Sequence, residues 1–134
     1  MELFEILKAG VEMGASDIHL TIGSPPLVRV MGQIRELRGF ANLTPETTQT
    51  LIYSILTEER QARFEARLEL DCSINLPEMA RFRVNVLRQQ GAIEAVFRII
   101  PAHIPSPEFL GLGPAIMGLA DLPRGLVLVT GPTG

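Results

Sequence analysis

From Leu68 to Ile99 the apolar residues fall at every second position, in three consecutive runs: Leu68, Leu70, Cys72 and Ile74; then Phe82, Val84 and Val86; then Ile93, Ala95, Phe97 and Ile99. Successive side chains of a strand point to opposite faces, so each run defines one apolar face. Three such runs joined by short polar connections form an antiparallel meander, apolar on one side and polar on the other. A sheet of that kind has to be covered on its apolar side. The expected fold class is therefore α+β, an antiparallel sheet with helices on one face.

The last hairpin can be placed in register. Gly91 tolerates a positive φ, which puts a two-residue turn at Gln90-Gly91. Opposed pairs are then Phe82 with Ile99, Val84 with Phe97 and Val86 with Ala95, all apolar, as a correct register requires. The same register sets Arg83 opposite Arg98 on the polar face. Like charges placed directly across a sheet repel, so a negative group belongs beside them. Two readings are open at this point. One is an ion-pair network, with Asp71 expected to face Arg83 from the preceding strand. The other is an anion site, since guanidinium groups suit bidentate contacts to phosphate. Arg81 shares that face; Arg88, near the turn, is expected to be solvated.

Upstream, Leu3, Phe4, Leu7 and Val11 recur at helical spacing, and Gly14 suits the stop. Asp17 to Ile22 alternates like a half-buried strand. Leu27–Met31 and Ile34–Leu37 read as a hairpin around Gly32-Gln33, with a type II′ turn expected from the leading glycine. Thr44-Pro45 is a helix start, a hydroxyl cap followed by proline at the first turn. Leu51, Ile52, Ile55 and Leu56 supply its buried stripe. Thr57 is expected to cap a second helix, with Phe64 as its main core contact.

Pro101, Pro105 and Pro107 fall within eight residues, which excludes helix and suits a linker over 100–107. The sheet domain is expected over 1–99 and a second domain from 108. There Pro114 opens a short helix, and Leu126-Val127-Leu128-Val129 reads as a strand buried on both faces of a parallel sheet. Gly131-Pro132-Thr133-Gly134 follows that run. A phosphate-binding loop of the form G-x-x-x-x-G-K-[ST] begins this way, but its second glycine, lysine and hydroxyl residue do not occur before residue 134.

Composition narrows the function classes. With 134 residues, 46% hydrophobic and 20% charged, the chain is globular. A formal net charge of -3 argues against a nucleic-acid or anionic-membrane surface. No apolar run is long enough for a membrane span. One cysteine, Cys72, builds no disulfide framework, so a reducing, cytoplasmic setting is expected. Asp17 and His19 share a strand face, but two ligands without a third make no metal site.

Several stretches together carry a resemblance. Ala15-Ser16-Asp17-Ile18-His19-Leu20, Pro25-Pro26-Leu27-Val28-Arg29 through Gly32, Arg81-Phe82-Arg83-Val84-Asn85-Val86, Arg88-Gln89 and the segment from Gly125 to Gly134 resemble the motor ATPases of type IV pili and type II secretion, in the PilT-like retraction branch. The order and spacing agree over nearly the whole chain. Assembly and secretion members carry a further domain before the Asp-Ile-His stretch, where this chain has one helix.

The resemblance implies a PAS-like amino-terminal domain, then the first helix and strand of a RecA-like core cut within its P-loop. It implies a cytoplasmic homohexamer, peripheral to the inner membrane, that hydrolyses ATP with Mg²⁺ and acts on the pilus machinery at the inner-membrane base to drive twitching motility. Arg83 and Arg98 would reach the γ-phosphate across the interdomain cleft. Gly131, Pro132, Thr133 and Gly134 would begin the nucleotide-binding loop. Cut there, the chain alone is expected to be inactive. The competing expectations are a PAS-like small-ligand sensor and a structural module that docks a neighbouring subunit.

Overall fold

The computed structural model describes residues 2–77, 79–101 and 104–131. The chain divides into two compact units, Met1–Pro101 and Ala102–Thr133. The first is a six-stranded antiparallel sheet with three helices on one face. Its elements are α1 (Leu3–Glu12), β1 (Asp17–Leu20), β2 (Leu27–Val30), β3 (Gln33–Glu36), α2 (Pro45–Tyr53), α3 (Glu58–Arg67), β4 (Glu69–Leu76), β5 (Ala80–Gln89) and β6 (Ala92–Ile100). The strand order β3-β2-β1-β6-β5-β4 sets the first and last strands side by side in the middle.

The sheet's inner face carries Ile18, Val28, Phe82, Val84, Val86 and Phe97, each fully buried. Phe64 of α3 and Ile52 of α2 close over them. The β5–β6 register is the expected one: Phe82 opposes Ile99, Val84 opposes Phe97, Val86 opposes Ala95, and Arg83 opposes Arg98. Both turn residues have positive φ, 50° at Gln90 and 82° at Gly91, the type I′ geometry that matches strand twist.

Four local expectations need correction. The first hairpin turns at Met31-Gly32, with φ of 49° and 77°, and Val30 pairs with Gln33. It is a type I′ turn with glycine second, not type II′ with glycine first. The β4–β5 register differs by two residues from the expected one: Asp71 faces Asn85, and Ser73 faces Arg83. An even slip keeps every apolar side chain on its face, so patterning alone could not separate the two. Leu68 takes a left-handed φ of 63° to end α3 and is half exposed rather than part of the β4 core face. In α1 the buried stripe is Leu3, Ile6, Leu7 and Gly10, with Phe4 54% exposed. A Cβ at Gly10 would collide with the Ile18 side chain, so the missing side chain lets the helix sit close to β1 and centres its buried face there.

The helix starts follow the expected chemistry. Thr44 caps α2 by accepting from the Thr47 backbone N–H, and the Thr47 hydroxyl accepts from the Thr44 N–H in return. Thr57 caps α3 by accepting from the Arg60 N–H.

The second unit holds a short helix, α4 (Pro114–Met117), running into a 3-10 turn at Gly118–Asp121. Leu126–Val129, expected as a buried parallel strand, is unpaired and 53–95% exposed. A parallel strand needs neighbours on both sides, and the described residues supply none. Pro132, Thr133 and Gly134 of the expected phosphate-binding loop lie outside the described residues, as does His103 of the linker. Gly131 has no assigned secondary structure. Among the described residues no helix is long and apolar enough to cross a membrane.

Candidate functional site

The outer face of the sheet carries one row of charge perpendicular to the strands. Arg29 on β2 pairs with Asp17 on β1, Asp17 with Arg98 on β6, Arg98 with Arg83 on β5, and Arg83 with Ser73 on β4. Alternation dictates this face. The two arginines alternate with core residues along their strands, Phe97 beside Arg98 and Phe82 and Val84 beside Arg83.

Asp17 is the anchor of the row. It is only 4% exposed, one of two buried polar or charged residues among those described. Arg98 Nε donates to Asp17 Oδ1 at 3.0 Å, and Arg29 Nε lies 3.5 Å from Oδ2. The Ser16 hydroxyl donates to Oδ2 at 2.9 Å. A buried carboxylate is tolerated only when paired and hydrogen-bonded, and these three groups meet that condition. Burial raises the Asp17 pKa, but the Arg98 and Ser16 hydrogen bonds and the Arg98 and His19 charges outweigh it and hold the carboxyl below its ordinary value. The negative group that the opposed arginines require is thus Asp17, which the sequence pattern places on a half-buried strand without linking it to Arg98.

Arg83 is held differently. Its Nε lies 3.8 Å from Asp71 Oδ1, with both side chains more than half exposed. Such surface pairs contribute little. Asp71 reaches it diagonally rather than face to face. Between the two arginines lies a shallow depression of about 290 Å3 lined by Asp71, Arg83, Asn85, Val96 and Arg98. Counting Arg29, Arg98 and Arg83 against Asp17 and Asp71, three cations meet two carboxylates, leaving an excess of one positive charge. Among the described residues neither arginine's Nη groups have an acceptor in the protein. The site can therefore offer guanidinium forks to an anion in an exposed, weakly basic hollow. Arg81 lies opposite Ile100 and Asn75, outside this row. Arg88 is exposed, as expected, and also pairs at the surface with Glu65 at 3.4 Å. That carboxylate also accepts from the Tyr53 hydroxyl, whose pKa burial and Glu65 push up to about 12.

His19 lies two residues along β1 from Asp17, on the same strand face. Its Nε2 is buried without a hydrogen-bond partner among the described residues. Burial pushes its pKa below the ordinary 6.5, with Asp17 opposing and Arg29 adding to the shift. Protonation therefore favours the unfolded chain, and stability falls as pH drops below about 6.5. Asp17 acts in a lower window: its depressed pKa gives stability that is present above about 3.8 and lost as pH falls through the folded value. Denaturant melts across this range should show a two-stage loss, and His19→Gln should remove the upper stage while leaving the lower one. An unchanged upper stage in that variant would assign it to another group.

No family model matches the chain. Individual relatives do. The type IV pilus retraction ATPase PilT of Pseudomonas aeruginosa is 44% identical across the whole chain, which spans 39% of that protein. PilU, a type IV pilus ATPase of the same organism, is 33% identical across the whole chain and 35% of its own length. A twitching motility protein of Neisseria gonorrhoeae is 37% identical over 81% of the chain and 29% of its own length. The chain thus spans well under half of the curated relatives it matches. Among solved structures, the pilus retraction motor PilT with bound ADP superposes with a TM-score of 0.79 at 45% identity, covering all of this chain and 39% of that one. The Legionella pneumophila ATPase DotB, at 23% identity, shares the fold with a TM-score of 0.69 over 87% of the chain and 33% of its own. Fold and sequence together match this chain to one portion of the type IV pilus ATPases PilT and PilU. The chain belongs to the PilT-like ATPases and corresponds to their amino-terminal portion.

Proposed function

We propose that this chain is the nucleotide-contacting amino-terminal domain of a hexameric motor ATPase that powers type IV pilus retraction. Arg83 and Arg98 are the residues that meet ATP, and the carrying observation is their face-to-face register on an exposed sheet face, with Nη groups that have no acceptor among the described residues. In this reading residues 1–99 form the domain, 100–107 the linker, and 108–134 the start of the ATPase core, with Gly131, Pro132, Thr133 and Gly134 opening the P-loop. ATP arrives with Mg²⁺ at that loop, and the two guanidinium groups close on its γ-phosphate from the sheet domain. Their charge stabilises the negative charge that builds on the transferred phosphoryl group. Only the triphosphate spans from loop to sheet, so hydrolysis would release the sheet domain and change its orientation. Repeated around a ring on the cytoplasmic side of the inner membrane, that motion would work on the pilus machinery.

The reading predicts a selective loss of affinity. In a protein that continues this chain through a complete P-loop and ATPase core, Arg83→Ala should weaken a non-hydrolysable ATP analogue by about 10- to 100-fold, the range for one charge-assisted hydrogen bond. ADP affinity should stay within about threefold, because ADP lacks the group these arginines meet. Equal losses for both nucleotides, or none for either, would remove Arg83 from the γ-phosphate.

A further inference from the structure

The two opposed arginines are not equivalent. Arg98 is hydrogen-bonded through Nε to a buried carboxylate, whereas Arg83 has only a solvent-exposed partner at 3.8 Å. A carboxylate that takes the Nε–H of an arginine fixes the plane of the guanidinium and leaves the outer Nη groups pointing away as a fork. Asp17 is in turn fixed from three sides. Ser16 donates to Oδ2 from the adjoining residue, Arg29 approaches Oδ2 from β2, and the backbone is clamped where the Ser16 N–H donates to the Arg29 carbonyl at 2.9 Å and its carbonyl accepts from the Ile99 N–H at 3.0 Å. Burial of a carboxylate between two cationic strands carries a desolvation cost that a purely structural position could avoid with an apolar residue.

We propose that Asp17 is the positioning residue of this site: it orients the Arg98 guanidinium toward the bound anion, with Ser16 and Arg29 holding the carboxylate in place. Arg83 is the mobile partner that completes the grip when the anion arrives. This rests on the reading of Arg98 as an ATP-contacting residue.

The first test uses the chain itself. In proton–nitrogen NMR spectra, Arg98 should give a sharp Nε–H resonance shifted and protected by its buried acceptor, while that of Arg83 is averaged by solvent. Asp17→Asn should collapse the Arg98 signal onto the averaged group and leave the core amide spectrum in place. An Arg98 signal indifferent to Asp17→Asn would overturn the proposal. The second test is a double-mutant cycle on ATP turnover in the protein continued through its P-loop. Asp17→Asn should lower kcat by about 10- to 100-fold with KM within about threefold, the scale for misplacing one catalytic group. Combined with Arg98→Ala it should add nothing further, because the two changes remove the same interaction. Independent, multiplying losses would show a structural role only. If instead Arg98→Ala alone leaves turnover intact, the ATP reading fails, while the NMR result still decides whether Asp17 orients Arg98.

Discussion

Arg98→Ala, in a protein that continues this chain through a complete P-loop and ATPase core, is expected to lower ATP turnover on the order of 10³-fold, the scale of an arginine that stabilises charge on a transferred phosphoryl group. Arg83→Ala should fall in the same range. The two differ in what they do to the fold. Arg98→Ala takes one of three partners from the buried Asp17 carboxylate, so a stability loss of about 1–2 kcal/mol should accompany it. Arg83→Ala removes a like charge from directly opposite Arg98 and gives up only an exposed pair. Its stability should be unchanged or slightly raised, since opposed like charges are destabilising. A severe loss of turnover in a domain no less stable than the parent separates function from folding. Arg88→Ala is the control: it lies on the same strand and loses an ion pair with Glu65, but sits away from the row, and its turnover should stay within about twofold. Parental turnover in both Arg83→Ala and Arg98→Ala would falsify the assignment.

How far the chain could be read before its structure depends on the range of each interaction. The β5–β6 pairing was legible because a two-residue turn at Gln90-Gly91 fixes every later pair, and the apolar residues check the count. The helix caps at Thr44 and Thr57 were legible for the same reason, their partners being three residues away. The β4–β5 register was not, because a slip of two preserves the faces, and the connection between Leu76 and Ala80 carries no turn signal strong enough to count from. Asp17 was the larger omission. Repulsion between Arg83 and Arg98 demanded a nearby anion, and Asp71 was the carboxylate that the assumed β4–β5 register set opposite Arg83. Its actual anchor lies 81 residues away in sequence and reaches Arg98 because β1 inserts beside β6. No hairpin rule carries that far. Leu126–Val129 failed for a third reason: an apolar run reads as a strand only in a sheet, and its neighbours are not among the described residues.

Phe97→Ala should cost the first unit about 3–5 kcal/mol, the largest stability loss expected from one substitution here. Phe97 is fully buried on the central strand β6, opposite Val84 on one side and Ile18 on the other, both also fully buried. Its ring meets Phe82 edge to face with centroids 6.5 Å apart, an arrangement that contributes beyond the area it buries. Against the 5–15 kcal/mol typical of a whole domain, the loss is a large fraction, and the melting temperature should fall by on the order of 15 °C. Val96→Ala, one residue earlier on the outward face, should cost about 1 kcal/mol. Phe97→Leu keeps most of the volume and should lose less stability than Phe97→Ala. Equal losses at 96 and 97 would mean that the core is not where the alternation puts it. The comparison reaches the site as well, because Phe97 and Arg98 are consecutive on one strand and point to opposite faces. The ring that seats β6 against the helices also fixes the backbone from which Arg98 projects. A loosened core should therefore blur the Arg98 Nε–H resonance even with Asp17 intact, whereas Val96→Ala should leave it sharp.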